Sequence, residues 1–179
     1  TFALYKAARA SLPGLRVVQY QGPFNFSAIN NTAARYATGQ HLLLLNNDVE
    51  FTSPDSIREM LSYSQRPDVG AVGAKLLYPD GTVQHAGVII GLGGSAGHSH
   101  KGHPANSAGD MYRLATAQNF SAVTGACLMV KKSLYDALGG LDETNFAVAY
   151  NDVDFCLRLR AQGYVNVMTP FAAGTHYES

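Results

Sequence analysis

The stretch His41-Leu-Leu-Leu-Leu-Asn-Asn-Asp48 decides the fold class of this chain. Its four consecutive leucines form a continuous apolar run, which is the pattern of a strand buried on both faces of a sheet. Asn46, Asn47 and Asp48 follow at once, where such a strand would end. Because ligands bind at the carboxyl ends of strands in open α/β sheets, chemistry is expected at this end of the strand.

The segments on both sides of this strand alternate between helical and strand-like patterns. Helical patterns begin near Ser27, Ser53, Ser133 and Asn151, and strand-like apolar runs cover residues 15–20, 69–77, 122–130 and 164–168. Alternating helices and buried strands predict an α/β layer structure with a mostly parallel sheet. The length of 179 residues is that of a single domain.

The composition excludes several classes of function. Hydrophobic residues make up 46% of the chain, and 13 basic residues balance 13 acidic ones. A chain without net charge does not attract duplex nucleic acid or an anionic membrane, and none of its apolar runs approaches the roughly 20 residues that cross a bilayer. Cys127 and Cys156 form no CxxC pair and are expected to be reduced core thiols of a cytosolic protein.

Three polar positions are candidates for chemistry. Asp48 and its oxygen-bearing neighbours suit a hard divalent cation, although a polar turn after a strand would look the same. Asp152 lies in the first turn of a predicted helix, where it could accept a proton or simply interact favourably with the helix dipole. His176 becomes a candidate ligand only if the fold places it beside Asp48.

The region from residue 84 to 110 is rich in glycine and histidine and shows little periodicity. Its spacing His98-x-His100-x-x-His103 would allow a zinc site. The run contains no cysteine or acidic residue, however, and its glycines favour a mobile loop without a metal. The sequence leaves both interpretations open.

Four motifs, in chain order, resemble those of glycosyltransferase family 2. They are Asn25-Phe-Ser-Ala-Ile-Asn-Asn31 with Ala37-Thr-Gly39, Leu44-Leu-Asn-Asn-Asp48, Thr124-Gly-Ala-Cys-Leu-Met-Val130 with Gly139-Gly-Leu-Asp142, and Tyr150-Asn-Asp-Val-Asp-Phe-Cys-Leu-Arg158. The pattern is similar to that of rhamnosyltransferase-like members from bacterial O-antigen and surface polysaccharide assembly. The resemblance implies the GT-A fold, a three-layer α/β/α sandwich around a Rossmann-like, mostly parallel mixed sheet.

The resemblance also implies a role for each matching residue. Asp48 and His176 would bind Mn²⁺ or Mg²⁺, and Asp152 would be the catalytic base. Four asparagines would lie near the nucleotide and its cation: Asn30, Asn31, Asn46 and Asn47. Asn46 and Asn151 replace acidic residues that many members have, and the stretch from Gln84 through the glycine-rich region would be a loop on the acceptor side.

The function implied is metal-dependent, inverting transfer of a hexosyl or rhamnosyl group. The donor would be a nucleotide-diphosphate sugar and the acceptor a saccharide or lipid-linked saccharide. We expect a protein without a transmembrane segment, located in the cytoplasm or peripherally at the inner face of the plasma membrane.

The strands with which family members open have no counterpart in the sequence, so the resemblance implies that residues 1–179 form one domain truncated at its N-terminus. An exposed sheet edge would then allow pairing with a second copy. Two alternatives remain open at this stage. One is an inactive or non-catalytic fragment that serves binding or assembly. The other is a sugar nucleotidyltransferase, which would need a glycine-rich phosphate loop that the sequence does not contain.

Overall fold

Nine strands and five α-helices form the part of the chain that the structure, a computed structural model, describes, namely residues 2–178. The helices are α1 (Phe2–Ser11), α2 (Phe26–Ala34), α3 (Ser56–Ser64), α4 (Lys132–Ala137) and α5 (Asn151–Ala161). The strands are β1 (His41–Leu45), β2 (Val49–Phe51), β3 (Val69–Leu77), β4 (Val83–His85), β5 (Val88–Ile90), β6 (Ala96–His98), β7 (Gln118–Phe120), β8 (Cys127–Lys131) and β9 (Val165–His176).

Seven of these strands form one mixed sheet in the order β1-β8-β3-β9-β2, with β4 paired to β3 and β7 paired to β9. β3 and β9 are parallel, whereas β8 runs antiparallel between β1 and β3. The predicted α/β class with a mixed sheet is confirmed, but most neighbouring strands are antiparallel. A continuous apolar run indicates burial on both faces and contains no information about strand direction, which explains this difference.

Helices cover both faces of the sheet and give the three layers. Successive side chains of a strand point to opposite faces of the sheet, so alternate residues of β8 pack in different cores. Leu128 and Val130 pack in a core with residues of α2, α4 and α5, whereas Cys127 and Met129 pack in a second core with Met60 of α3. The predicted buried strand over residues 122–130 is confirmed from Cys127 onward, whereas residues 123–126 form the loop that leads into it.

Both cysteines are free and buried, as the sequence predicts. Burial raises the pKa of the Cys127 thiol and of the Cys156 thiol to about 12. Each thiol therefore stays protonated at neutral pH and behaves as a small apolar side chain of the core.

The histidine- and glycine-rich region contains more regular structure than the predicted loop. β4 pairs antiparallel with β3, and its residues Val83, Gln84 and His85 are all buried. β5 and β6 then form a separate two-stranded hairpin. The prediction of a loop is wrong for these segments, because strands of three residues are too short to produce a recognisable alternation.

The predicted strand at residues 15–20 is also absent, since this segment has no regular secondary structure. Its β-branched residues Val17 and Val18 are exposed. β-propensity reflects packing on a pleated, half-buried surface, and none of the described strands pairs with this segment.

Candidate active site

The pairing of β2 with β9 brings Asp48 and His176 together. β1 ends at Leu45, and the turn after it leads into β2, in which Val49 lies opposite His176. The backbone N–H of Tyr177 donates to the carbonyl of Asp48 at 2.9 Å and fixes this register. Nε2 of His176 consequently lies 3.2 Å from Oδ1 of Asp48. The condition that made His176 a candidate ligand is met.

The residues behind the ring of His176 determine which nitrogen carries its proton. Nε2 of Gln84 donates to the carboxylate of Glu178 at 3.2 Å, which turns the carbonyl oxygen of Gln84 towards His176. That oxygen can only accept, and it lies 2.7 Å from Nδ1 of His176, so Nδ1 carries the proton. In the neutral ring the lone pair is then on Nε2, where it faces Asp48 and can also accept from the amide nitrogen of Asn46 at 3.3 Å.

The facing atoms of Asp48 and His176 fit a divalent cation. Oδ1 of Asp48 is buried and receives no hydrogen bond from any described residue. A carboxylate oxygen and an imidazole nitrogen 3.2 Å apart attract each other when a proton or a metal cation lies between them. Neighbouring ligands of octahedral Mg²⁺ are about 3 Å apart, so the spacing suits such an ion. Within residues 2–178, no group of three or more His, Cys, Asp or Glu side chains surrounds a metal position.

Asp152 is oriented by two backbone N–H groups in the first turn of α5. Its Oδ2 accepts a hydrogen bond of 2.8 Å from Gly125, and its Oδ1 accepts one of 2.8 Å from Val153. α5 begins at Asn151, and Tyr150 precedes it in the left-handed conformation with φ of 62°. The carboxylate is thereby fixed against the loop that leads into β8.

A cavity of about 520 Å³ extends between Asp152 and His176. Its lining includes Asn46 and His176 from the strand ends and Asp152 from α5. Asn151, whose buried Nδ2 has no hydrogen-bond partner among the described residues, lines it as well. A volume of this size is typical of small-molecule pockets. One substrate-sized space is therefore lined both by the Asp152 carboxylate and by His176, the neighbour of Asp48.

Three of the four asparagines that the resemblance places near the nucleotide lie elsewhere than on this cavity. Asn31 is buried, and its amide bonds to the Tyr135 hydroxyl and to the backbone of Leu141, so it holds α2 against the neighbouring loop. Asn30 donates to the Phe26 carbonyl within α2, and Asn47 is exposed in the turn after β1. The structure thus gives Asn31 a role in the fold, and the nucleotide contact that the resemblance implies stays a prediction.

The fold does not bring the three histidines of the possible zinc site together around one point. Nδ1 of His98 contacts Nδ1 of His85 at 2.8 Å, whereas Nδ1 of His100 contacts the Ser99 hydroxyl at 2.7 Å. The ring of His103 stacks edge-on against His100 at 5.2 Å between centroids. In the part of the chain that the structure describes, these residues form no group that could hold a metal ion.

Sequence reasoning did not single out Glu178, and it named Gln84 and His85 only as part of an acceptor-side loop and His98 only as a possible zinc ligand. All four residues shape the site. Gln84 and His85 are adjacent on β4, and both of their side chains are buried. The available signal is a pair of hydrogen-bonding residues directly after Val83 and before Ala86, because buried polar residues must find partners. Nothing local in the sequence indicates that those partners are His98 and His176.

The family model described as "Glycosyltransferase like family 2" matches residues 1–179. The chain belongs to this family. Protein y4gI of Sinorhizobium fredii is 53% identical over 165 residues, which is 92% of this chain and 18% of that protein. The O-antigen biosynthesis protein RfbC of Myxococcus xanthus is 44% identical over 168 residues, which is 93% of this chain and 13% of that protein. The chain spans less than a fifth of the length of these two relatives.

Solved structures of glycosyltransferases share the fold of this family 2 chain. GalNAc-T7, determined with UDP, GalNAc and Mn²⁺, gives a TM-score of 0.75 at 12% identity over 98% of this chain and 35% of that one. The mannosyltransferase PcManGT of Pyrobaculum calidifontis, determined with GDP-Man and Mn²⁺, gives 0.66 at 18% identity over 97% of this chain and 43% of that one. The predicted GT-A fold is confirmed.

Proposed function

We propose that this chain transfers a sugar from a nucleotide-diphosphate sugar to a hydroxyl of a saccharide acceptor, with a divalent cation and with inversion at the anomeric carbon. The observation that supports this most is a single cavity lined by Asp152 and by His176, the neighbour of Asp48. Such a cavity offers a proton acceptor and a cation site to one bound substrate pair. Membership of glycosyltransferase family 2 agrees with this chemistry.

Asp152 is the proposed base. An oxygen lone pair of the acceptor hydroxyl forms the new bond to the anomeric carbon while the bond from that carbon to the diphosphate oxygen breaks. The hydroxyl proton passes to Asp152, and the electron pair of the broken bond leaves with the diphosphate. Gly125 and Val153 each occupy one lone-pair site of the carboxylate, which has about four, so the group can still accept the proton.

Asp48 and His176 are the proposed ligands of Mn²⁺ or Mg²⁺. A divalent cation bound there would supply positive charge to the diphosphate as negative charge develops on it. Asn46, at the end of β1, contributes an amide in place of a second carboxylate, so oxygens of the substrate diphosphate are needed to complete the ligand set. None of the described residues that line the cavity is a lysine or arginine, so a bound cation would be the source of the positive charge.

A donor screen tests this function. The melting temperature of the chain is measured with UDP-, GDP- and dTDP-activated sugars, each with and without Mn²⁺, and release of the nucleoside diphosphate is followed for each sugar. We expect at least one donor to raise the melting temperature only when Mn²⁺ is present. A complete absence of metal-dependent shifts and of product release would refute the proposed transfer.

The biological setting that we propose is assembly of a bacterial surface polysaccharide, with a lipid-linked saccharide as one class of acceptor. The similarity to an O-antigen biosynthesis protein supports it. Among the described helices, none combines the length and apolar character needed to cross a bilayer. Transfer to a lipid-linked saccharide should exceed transfer to the same saccharide without its lipid, and equal rates would argue against a lipid-linked acceptor.

A non-catalytic binding module is the second candidate, and the small ligand set favours it. The resemblance implies acidic residues at the positions of Asn46 and Asn151, and no third acidic or histidine ligand joins Asp48 and His176 within residues 2–178. Calorimetry with UDP and GDP distinguishes the two candidates. A catalytic site predicts heat of binding that depends on Mn²⁺, whereas a non-catalytic module predicts none.

A further inference from the structure

We propose that His98 binds substrate: its neutral imidazole donates a hydrogen bond from Nε2–H to a hydroxyl oxygen of a sugar in the cavity beside Asp152. The proposal rests on the proposed function, because it requires the cavity to hold a saccharide. It is supported by a series of hydrogen bonds that begins at two backbone N–H groups, passes through His85 and ends at His98.

The backbone fixes the tautomer of His85, from which the tautomer of His98 follows. It is buried on β4, and its Nε2 accepts hydrogen bonds of 3.3 Å from the backbone N–H groups of Gly87 and Thr124. A ring nitrogen that receives two N–H groups cannot itself carry a proton, so the proton of His85 is on Nδ1. Burial holds the pKa of His85 well below its usual range, and nearby His98 lowers it further, so the ring is neutral.

His85 in turn determines the tautomer of His98. The two Nδ1 atoms are 2.8 Å apart, and since Nδ1 of His85 carries a proton, Nδ1 of His98 must accept it. The proton of neutral His98 is therefore on Nε2. Burial lowers the pKa of His98, which outweighs the opposing effect of Asp152 and Glu178, while Lys101 lowers it further.

Nε2–H of His98 is available to a ligand. It has no hydrogen-bond partner among the described residues and is not among their buried unpaired atoms. In an imidazole ring Nε2 lies away from Nδ1, so it points away from His85. His98 lines the cavity together with Asp152 and Glu178. A sugar hydroxyl can donate to a carboxylate and accept from an N–H, so this combination of groups suits a saccharide.

Two adjacent residues of β4 thus give two histidines opposite tautomers. Gln84 accepts from Nδ1 of His176 and leaves a lone pair on Nε2, whereas His85 donates to Nδ1 of His98 and leaves a proton on Nε2. His176 is thereby suited to a cation and His98 to an oxygen acceptor. His98 offers no free lone pair, so it is not an additional metal ligand.

Nitrogen NMR of the ligand-free chain tests the tautomers without any transferase activity. Long-range ¹⁵N–¹H correlations at about pH 7, assigned with the His98→Gln and His98→Leu variants, should show His98 protonated only on Nε2 and His85 protonated only on Nδ1. A charged His98 ring, or one protonated on Nδ1, would overturn the proposal even if the chain is an active transferase.

Paired variants test the contact with substrate. Both His98→Gln and His98→Leu remove the acceptor of His85, but only glutamine keeps an N–H donor near the position of Nε2. Donor affinity is measured with the best donor of the screen, and transfer is measured to a panel of p-nitrophenyl glycosides. We expect His98→Leu to weaken one of these by roughly 3- to 10-fold, the effect of one neutral hydrogen bond, and His98→Gln to restore most of it.

The two readouts distinguish the sources of the hydroxyl. A loss of donor affinity indicates the donor sugar, and a loss confined to transfer to the glycosides indicates the acceptor sugar. The proposal is overturned if His98→Leu matches the parent in both measurements, or if His98→Gln loses as much as His98→Leu. Melting temperatures of both variants confirm that folded proteins are compared.

Discussion

Gly125 and Asp152 are in direct contact across the candidate active site: the backbone N–H of Gly125 donates to Oδ2 of Asp152 at 2.8 Å. The preceding N–H, that of Thr124, donates to His85, and the carbonyl of Ala126 accepts from the N–H of Asn46 at 2.9 Å. Three consecutive residues therefore position groups from α5, β4 and the end of β1. This loop, more than any single strand, determines the geometry of the cavity.

Replacing Gln84 by methionine should weaken cation binding. Gln84→Met removes the acceptor that keeps the proton of His176 on Nδ1, and loss of such an orienting partner typically costs 10- to 100-fold in metal affinity. Titration of Mn²⁺ in the presence of UDP, followed by electron paramagnetic resonance, measures it. Gln65→Met, an exposed change after α3, is the control and should bind as the parent does. Equal affinity in both variants would contradict the role given to Gln84.

Asn31→Ala should reduce stability and leave donor binding unchanged. The change removes the partners of the Tyr135 hydroxyl and of the Leu141 backbone, and each unsatisfied buried group costs about 1–3 kcal/mol. Urea unfolding should show a loss of about 2–4 kcal/mol, whereas Asn30→Ala, which removes one bond within α2, should lose about 1 kcal/mol. Loss of donor affinity at unchanged stability would instead support the nucleotide contact that the resemblance implies for Asn31.

Gly87→Ala should be strongly destabilising because of a steric clash. Gly87 has φ of 97°, and an added Cβ would lie 2.4 Å from the ring of Phe120. Gly91 has a similar φ of 89° but open space around it, so Gly91→Ala measures the backbone strain alone. We expect Gly91→Ala to lower the free energy of unfolding by about 1–2 kcal/mol and Gly87→Ala to lower it by about 1–3 kcal/mol more, both measured by urea unfolding. Equal losses would show that Phe120 moves aside at little cost.

The two thiols should be unreactive in the folded protein and should make stability depend on alkaline pH. The folded-state pKa of Cys127 and of Cys156, about 12, exceeds the unfolded value of about 8.5. The stability from these neutral thiols is therefore fully present below about pH 8.5 and is lost as the pH rises towards 12. The melting temperature should fall less steeply above pH 8.5 when both cysteines are alanine. Rapid labelling of the native chain by a thiol reagent at pH 8 would disagree with this burial.

The sequence predicts the parts of the fold that depend on local pattern. The apolar run of β8 is identifiable because burial on both faces leaves a continuous apolar signal. The leucines of β1 give the same signal, but burial on both faces is wrong for this strand at the end of the sheet, where Leu43 is only partly buried and Leu45 is exposed. Strand direction cannot be identified from local pattern, because it is set by partners distant in the chain. Strands of three residues cannot be identified either, because they are too short to show an alternation. At residues 15–20 the local pattern predicts a strand that the structure does not contain, because β-branched residues without a pairing partner form no strand.

The candidate site also combines residues that can be recognised from local sequence with residues that only tertiary contacts bring together. Asp48 and Asp152 are recognisable because each follows or begins a recognisable element. His176 becomes a neighbour of Asp48 only through the register of β2 against β9, and Gln84 and His98 join the site through contacts over 92 and 13 residues. Those contacts are tertiary, so a single sequence contains no local signal for them.

The most direct test of the account is the effect of Asp152→Asn on transfer and on donor binding, measured together. The substituted amide would keep the shape of the side chain but could not take the acceptor proton, and removal of a general base typically costs 10²- to 10⁴-fold in rate, by order of magnitude. Asp154→Asn, two residues further along α5 at a carboxylate paired with Arg158, is the matched control. We predict that Asp152→Asn loses roughly 10²-fold or more in transfer rate while its donor affinity stays close to that of the parent. Transfer by Asp152→Asn at the rate of the parent and of Asp154→Asn would contradict the assignment of the base.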